Sequence, residues 1–301
     1  MYKRLELHNH TNESDAVFTC KELTDFMVAD QVDAFALTDH NTISGHCKIK
    51  NYLKEHPQPI DFIPGMEYTT YYGHILCLNL TEYVPWENIN RHKPELLFRA
   101  AREKGALVGV AHPYSFGWPF AQGCRFEMTI TDYSCCDFIE IFNNPEPLHE
   151  VNEKGVKLWE NLVLSGEKLA ATCGMDLHGN STCTDIIPPI SRVNRTAMSA
   201  GNSPMRSTTS VPGYARDLCW KYITMEKHSP SPSTRPETWI RTARENDYRV
   251  TLRTQDQVIT CDVSDRIPLA SFAEHAIIIP MLFEKETIIE NLVCTSPVMH
   301  L

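Results

Sequence analysis

The sequence predicts an α/β fold of the strand–helix–strand kind over residues 1–190, either a parallel sheet or a barrel. Two observations predict it. Short apolar runs alternate with amphipathic stretches along this part of the chain. The 301-residue chain is 42% hydrophobic and 22% charged, an ordinary soluble composition that can bury a sizeable core.

The elements follow in order. Arg4 to His8 reads as a strand. Thr19 to Asp30 reads as a helix, with Thr19 as N-cap and Glu22 three residues on, the spacing of a capping box. Ala34 to Thr38 and Ile60 to Pro64 are the next strands, and Gly73 to Leu80 is a fourth after the Tyr72-Gly73 turn. Pro94 to Lys104 is a helix stopped by Gly105. Ala106 to Ala111 and Asp137 to Phe142 are strands, Glu146 to Gly166 is helical, and Lys168 to Gly174 is a strand.

From Ser191 the character changes. Ser199 to Ser210 and His228 to Pro236 are rich in Ser, Thr, Pro and Gly and read as loops. Helices are expected over Pro236 to Asn246 and Glu284 to Leu292, with the apolar run Ile277 to Phe283 broken by Pro280. Residues 1–190 therefore read as one domain, and 191–301 as a C-terminal extension packed on it.

A net charge of −10 argues against tight binding to long nucleic acid, which needs a basic face. It leaves room for a small phosphorylated substrate, because bound metal ions add positive charge that a sequence count omits. The 11 cysteines are odd in number and include the adjacent Cys135 and Cys136, and no CxxC pair occurs. With no apolar signal segment after Met1 and no membrane-length apolar run, a reduced, cytoplasmic protein is expected, its thiols serving as small core residues. Oligomeric state is not encoded legibly.

The chemistry gathers at strand ends, where sites of βα folds lie. The first strand ends in His8-Asn9-His10, and alternation places both imidazoles on one face. Asp15 follows in the loop. The second strand ends in Thr38-Asp39-His40, and the third leads into Pro64-Gly65-Met66-Glu67. His74 lies on the fourth, His112 ends the next in Ala111-His112-Pro113, and Asp176-Leu177-His178 follows the last. Any one of these has a bland alternative: a hydrogen-bonded histidine, a turn aspartate, a solvated loop charge. Together they put seven segments' worth of metal-ligating groups on one rim, and burying so many polar groups without a cation would be costly.

This order of motifs over residues 1–190 resembles the PHP superfamily of polymerase and histidinol phosphatase domains. The resemblance implies a distorted seven-stranded (β/α) barrel holding two to three divalent metal ions (manganese, iron or zinc), and hydrolysis of phosphate esters. It implies that His8, His10, Glu67 and Asp176 hold one ion. Glu67 bridges to a second with His74 and His112, and Asp15, His40 and His178 hold a third. The Ser14-Asp15 variant is similar to a branch with nucleotide-type phosphoesterases. Glu140 matches a recurring family strand, as support for the metal ligands or as a plain strand end.

The short segment between His74 and His112 has room for a loop and one helix but for no inserted substrate domain. Substrate selection then falls to the loop Tyr114 to Cys124 or to the C-terminal region. Metal-bound water is the expected nucleophile at neutral pH. Asp39 and His178 are the candidate catalytic proton donors. The expected function is hydrolysis of a small phosphorylated molecule, a nucleotide or oligonucleotide end among them. The alternatives are hydrolysis of C–N or carboxyl ester bonds and a non-catalytic metal-binding regulatory domain. Arg192, Arg195 and Arg206 read as solvated loop charges rather than phosphate contacts.

Overall fold

The computed structural model describes residues 2–87, 89–117, 123–143, 150–179, 190–194, 208–210, 248–262, 267, 271–285, 290–295 and 298–301. The expected loops at 199–207 and 228–236, the expected helix at 236–246, and Arg195 and Arg206 lie outside these residues.

Seven strands follow one another in space as they do in sequence: β1 (Tyr2–Glu6), β2 (Ala34–Leu37), β3 (Asp61–Thr70), β4 (Gly73–Leu78), β5 (Leu107–Val110), β6 (Phe138–Phe142) and β7 (Ala170–Cys173). They form a nearly closed barrel. Beyond the regular ladders, a parallel bridge joins Asn9 to Leu177, with His10 N–H donating to the Leu177 carbonyl at 3.0 Å. The chain leaving β1 is thus stitched to the chain leaving β7. Closure happens at the rim that carries His8, His10, Asp176 and His178.

One strand of the expected distorted barrel runs against the rest. β1, β2 and β3 are parallel, as are β5, β6 and β7, but β4 runs antiparallel to both β3 and β5. The cause is the turn at Tyr71-Tyr72, since a parallel neighbour needs a crossover of about a dozen residues or more. Gly73, at φ 130, is the residue that makes the turn. Running β4 backwards brings His74, at its start, to the rim where the parallel strands end.

Helices α1 (Cys20–Ala29), α2 (Gly45–Glu55), α3 (Glu95–Glu103) and α4 (Glu150–Leu164) cover the outside. The expected capping box is present: Thr19 Oγ1 accepts from Glu22 N, and Thr19 N donates to the Glu22 carboxylate at 2.8 Å. Helix α2 was not foreseen. Its buried apolar contribution is small, Ile49 with Leu53 partly covered.

β2 shows how the two faces are used. Ala34 and Ala36 join Leu5, Leu7, Ile63 and Leu76 in one cluster, while Phe35 and Leu37 pack with Leu23, Met27 and Ile49 from α1 and α2. The largest cluster lies beneath α3 and α4. Trp159 is 2% exposed there, donates Nε1–H to the Leu169 carbonyl, and shares the cluster with Ile279 and Met281 from the C-terminal region.

Those last residues belong to an antiparallel extension of β8 (Ile190–Asn194), β9 (Thr208–Ser210), β10 (Tyr248–Arg253), β11 (Val258–Asp262), β12 (Ile277–Lys285), β13 (Glu290–Thr295) and β14 (Met299–His300). β8 pairs antiparallel with β1, continuing the sheet past the barrel. The expected helix at Glu284 to Leu292 is therefore wrong: β12 and β13 occupy it as an antiparallel pair. Pro280 does not break the apolar run. On one side of β12, β14 pairs with Ile277 and Ile278 and β13 with Met281 onward, so Pro280 falls between the two partners. Arg253 completes the attachment by donating to the buried Glu160 of α4 at 2.7 Å.

Cys20, Cys47, Cys77, Cys124, Cys135 and Cys136 are free thiols, and the adjacent Cys135 and Cys136 are both buried. No helix among the described residues is long and apolar enough to cross a membrane.

Trp159 joins barrel, helix and extension, so Trp159→Ala should destabilise the chain by about 3–5 kcal/mol. Urea unfolding followed by tryptophan-independent circular dichroism measures this. A loss below about 1 kcal/mol would mean that the extension is not packed through this residue.

Candidate metal centre

Glu67 lies in the middle of β3 and is fully buried. A buried carboxylate needs partners, and five imidazoles supply them. Oε1 is 2.8 Å from His74 Nδ1 and 3.0 Å from His112 Nε2; Oε2 is 2.9 Å from His40 Nδ1, 3.3 Å from His8 Nε2 and 3.4 Å from His10 Nε2. These imidazoles come from four segments, His8 and His10 sharing one. The register Thr69↔His74 on β3 and β4, and the parallel bridge His40↔Glu67, set two of the approaches.

Asp176 closes a second side. Its Oδ1 is 3.4 Å from His8 Nε2 and 3.1 Å from His10 Nε2. Asp15 and His178 stand at the open side, with His178 Nε2 3.3 Å from Asp15 Oδ1 and His40 Nε2 3.6 Å from Asp15 Oδ2. All nine positions singled out as ligands in the sequence thus meet in one cluster. Three sets within it could each hold a cation: His8, His10, Glu67 and Asp176; His40, Glu67 and His74; and His10, Asp15, His40 and His178. His112 borders the second set through Glu67. The first set is deeply buried, whereas Asp15 is 56% and His178 38% exposed at the side chain.

The first set has a feature that hydrogen bonding does not explain. His8 Nε2, His10 Nε2, Glu67 Oε2 and Asp176 Oδ1 lie 3.1–3.4 Å apart along four edges, yet none of these four buried atoms makes a hydrogen bond. The four atoms converge on one point without a hydrogen-bond geometry among them. A tetrahedral ion with ligands at about 2.0–2.1 Å places them about 3.3–3.4 Å apart. The donor set therefore fits a first-row divalent cation in both chemistry and spacing.

Supporting groups orient the ligands. Glu140 of β6 takes His8 Nδ1 on Oε1 at 2.9 Å and accepts the His112 backbone N–H on Oε2 at 3.0 Å. That fixes His8 so that Nε2 faces the centre. The Cys124 carbonyl lies 3.1 Å from His112 Nδ1 with the same effect. Asp39 is buried and accepts from Thr11 N, Thr11 Oγ1 and Ser14 Oγ, each at 2.7 Å. It braces the turn that presents Asp15.

Three supports escaped the sequence reading. Thr69 packs its hydroxyl against His40 Nδ1; Glu6 accepts from Met175 N at 2.8 Å; Thr11 carries the Asp39 contacts. Thr69 alone had a signal, two residues beyond Glu67 on the same face of β3.

Two donors sit on left-handed backbone, His112 at φ 25 and Asp176 at φ 49. Non-glycine residues hold such angles only where surroundings over-determine them, as at binding sites.

The charges reinforce one another. Burial disfavours a charged His8, but Glu140, Glu67 and Asp176 outweigh it and raise its pKa well above the ordinary value. His112 is likewise driven up, to about 9, by Glu67 against the cost of burial. Burial works against the Glu67 carboxylate too, yet the imidazoles of His8 and His74 hold it well below the usual range. For His10 burial prevails and the pKa falls. The pocket is one that demands positive charge, whether from protons or from a metal.

No family model matches the sequence. An uncharacterized protein of Methanocaldococcus jannaschii is 29% identical over 151 residues, covering 46% of this chain and 81% of that protein. The 5′-3′ exoribonuclease Rnm of Escherichia coli is 26% identical over 116 residues, 35% of this chain and 40% of the enzyme. Among solved structures, a two-domain protein from Bacteroides vulgatus containing a predicted PHP-like metal-dependent phosphoesterase superposes with a TM-score of 0.54. It has 13% identity over 100% of this chain and 88% of its own. The barrel and its extension thus share the fold of that two-domain protein, the barrel being PHP-like.

Two predictions follow from the geometry. A Cβ on Gly174 would lie 2.3 Å from His8 Cβ and 2.9 Å from His8 N. Gly174→Ala should therefore displace His8 and lower metal stoichiometry, read by elemental analysis, while far-ultraviolet circular dichroism stays native. Unchanged metal content would show that His8 is not a ligand. Second, adding manganese to chelator-stripped protein at pH 7.5 should release protons, because metal must displace those that the carboxylates hold on His8 and His112. A pH-stat titration with no proton release would disprove that coupling.

Proposed function

We propose that this PHP-like barrel is a metal-dependent phosphoesterase whose centre is the Glu67 cluster. The observation that carries the reading is the set of four buried, converging and unbonded donor atoms on His8, His10, Glu67 and Asp176. The Bacteroides vulgatus neighbour and the exoribonuclease relative support the same chemistry, and the relative favours a nucleotide-type ester.

Divalent ions in such a site lower the pKa of a bound water and neutralise charge on a phosphate. The chain's own residues do the rest. His8, His10, Glu67 and Asp176 would hold the buried ion; Glu67, His74 and His112, with His40 beside them, a second; Asp15, His40 and His178 the outermost. Glu140 keeps His8 Nε2 aimed inward. A phosphate must reach the cluster from its exposed side, where Asp15 and His178 stand.

His178 is the better placed of the two to pass a proton to the leaving oxygen, a role it can fill only where it does not hold the outermost ion. Its ring is part-exposed, and its Nδ1 lies 2.8 Å from the Asp176 carbonyl while Nε2 faces Asp15. Asp39 supports this role poorly. Its carboxylate is committed to Thr11 and Ser14, which suits positioning of the Asp15 turn rather than proton transfer.

The test is elemental analysis of protein purified without chelator, joined to hydrolysis of p-nitrophenyl phosphate and bis-p-nitrophenyl phosphate in added manganese. Two to three ions per chain with turnover are expected. The double variant His8→Ala/His10→Ala should lose at least one ion and turnover by about 1,000-fold or more, yet remain folded. Retained turnover in that variant would remove the cluster from the reaction.

A further inference from the structure

His40 lies between two of the donor sets and belongs to both. Its Nδ1 is 2.9 Å from Glu67 Oε2, in the set with His74, and its Nε2 is 3.6 Å from Asp15 Oδ2, in the set with His178. A neutral imidazole has one lone pair to give a cation, because its other nitrogen carries the ring proton. His40 can therefore complete only one of the two sets, and the groups around the ring decide which.

Thr69 is the deciding group. It stands two residues beyond Glu67 on β3, so alternation carries both side chains to one face. Its hydroxyl has a single proton, and the Glu67 main-chain carbonyl accepts it at 3.4 Å. The Thr69 oxygen is then left to accept, and His40 Nδ1 hydrogen-bonds to it. Nδ1 also faces the Glu67 carboxylate, whose negative charge repels a nitrogen lone pair. Both neighbours place the ring proton on Nδ1. The lone pair is then on Nε2, which faces Asp15. Glu67 Oε2, although 2.9 Å from Nδ1, makes no hydrogen bond. Thr69 takes the proton in its stead and leaves Oε2 to the donors around His8 and His10.

Thr69 is itself clamped by Asn41, the residue that follows His40. Asn41 Nδ2 donates to the Thr69 carbonyl at 2.9 Å, and Thr69 N donates to Asn41 Oδ1 at 3.0 Å. Asn41 N donates to the Glu67 carbonyl at 3.0 Å. A side-chain amide thus does for this end of β3 what a neighbouring strand does elsewhere, while β4 pairs with Thr69 through His74. Asn41 sits at φ 54, in the left-handed region that asparagine tolerates better than most residues. One residue therefore fixes both partners of the hydrogen bond, the histidine through the chain and the threonine through its amide.

We infer that Thr69, clamped by Asn41, is a positioning residue that commits His40 Nε2 to the outermost ion and keeps Glu67 Oε2 for the buried one. The middle ion is left with Glu67 Oε1, His74 and His112. The inference deepens the phosphoesterase reading and rests on its assignment of the donors. Filling of the outermost site then depends on two side chains that hold no ion themselves.

The experiment is equilibrium dialysis of the full chain against graded manganese, with bound ions per chain read by elemental analysis. Wild type should bind its last ion most weakly, since Asp15 and His178 are the exposed donors. His40→Ala should remove that ion and so identify it. Thr69→Val keeps the shape without the hydroxyl; it should weaken the last ion about tenfold or more and leave the tighter ions within about twofold. Asn41→Ala should act in the same direction, and Thr69→Ser, which keeps the hydroxyl, should bind as wild type does. Nitrogen magnetic resonance of the labelled His40 ring in the zinc-loaded wild-type chain gives a second readout, which holds even where a variant fails to fold. A proton on Nδ1 and metal on Nε2 are expected. Metal on Nδ1 overturns the inference, as does a His40→Ala chain that loses no ion or a Thr69→Val chain that binds all its manganese like wild type. Equal weakening of every ion in Thr69→Val, with no rescue by serine, marks a purely structural role and overturns it too. Turnover is read apart: if neither p-nitrophenyl ester is hydrolysed while manganese binding follows the expected pattern, the positioning role stands and the hydrolytic reading falls.

Discussion

Everything at the working end of this barrel depends on one buried carboxylate. Glu67 lies fully buried in the interior of a ten-residue strand, and five histidines from four parts of the chain turn a ring nitrogen toward its two oxygens. A lone carboxylate there would shift to its neutral form or unfold the strand. Surrounded as it is, it stays ionised and becomes the common anchor of two donor sets. The same low-dielectric surroundings that make it costly also make its attraction for a cation strong.

The fold is arranged to deliver those histidines. β3 is long because it must reach from its pairing with β2 to a tight turn at Tyr71-Tyr72, and that turn reverses β4. Reversal puts the first residues of β4 on the rim, so His74 meets Glu67 across the hairpin. On the other side, the bridge between Asn9 and Leu177 draws the ends of β1 and β7 together. His8 and His10 then face Asp176 at 3.1–3.4 Å. Closure of the barrel and assembly of the centre are one event, and the left-handed backbone at His112 and Asp176 is held by both.

Much of this could be read from the sequence because its signals are local. His8-Asn9-His10 and Asp176-Leu177-His178 are i, i+2 pairs, and Thr19 with Glu22 is a complete capping box. What could not be read is set by long-range contacts. Apolar periodicity announces β4 but not its direction. The supporting role of Glu140 depends on His8, 132 residues away, and no pattern within β6 reveals it. β12 misled because Pro280 usually interrupts structure; only the arrival of β13 and β14 on either side of it makes the proline harmless. Helix α2 was silent because it contributes little apolar surface.

The burial gradient across the centre explains how an acidic chain can accept a phosphate. The set around His8, His10, Glu67 and Asp176 is almost wholly enclosed, so its negative charge is spent on whatever cation it holds rather than displayed to solvent. The outer set is the reverse: Asp15 and His178 are open, and the aspartate faces two imidazoles. An approaching anion therefore meets at the rim a single carboxylate, Asp15, already faced by the imidazoles of His40 and His178. Net charge, summed over the whole surface, says little about a site in which Glu67 and Asp176 are enclosed among imidazoles.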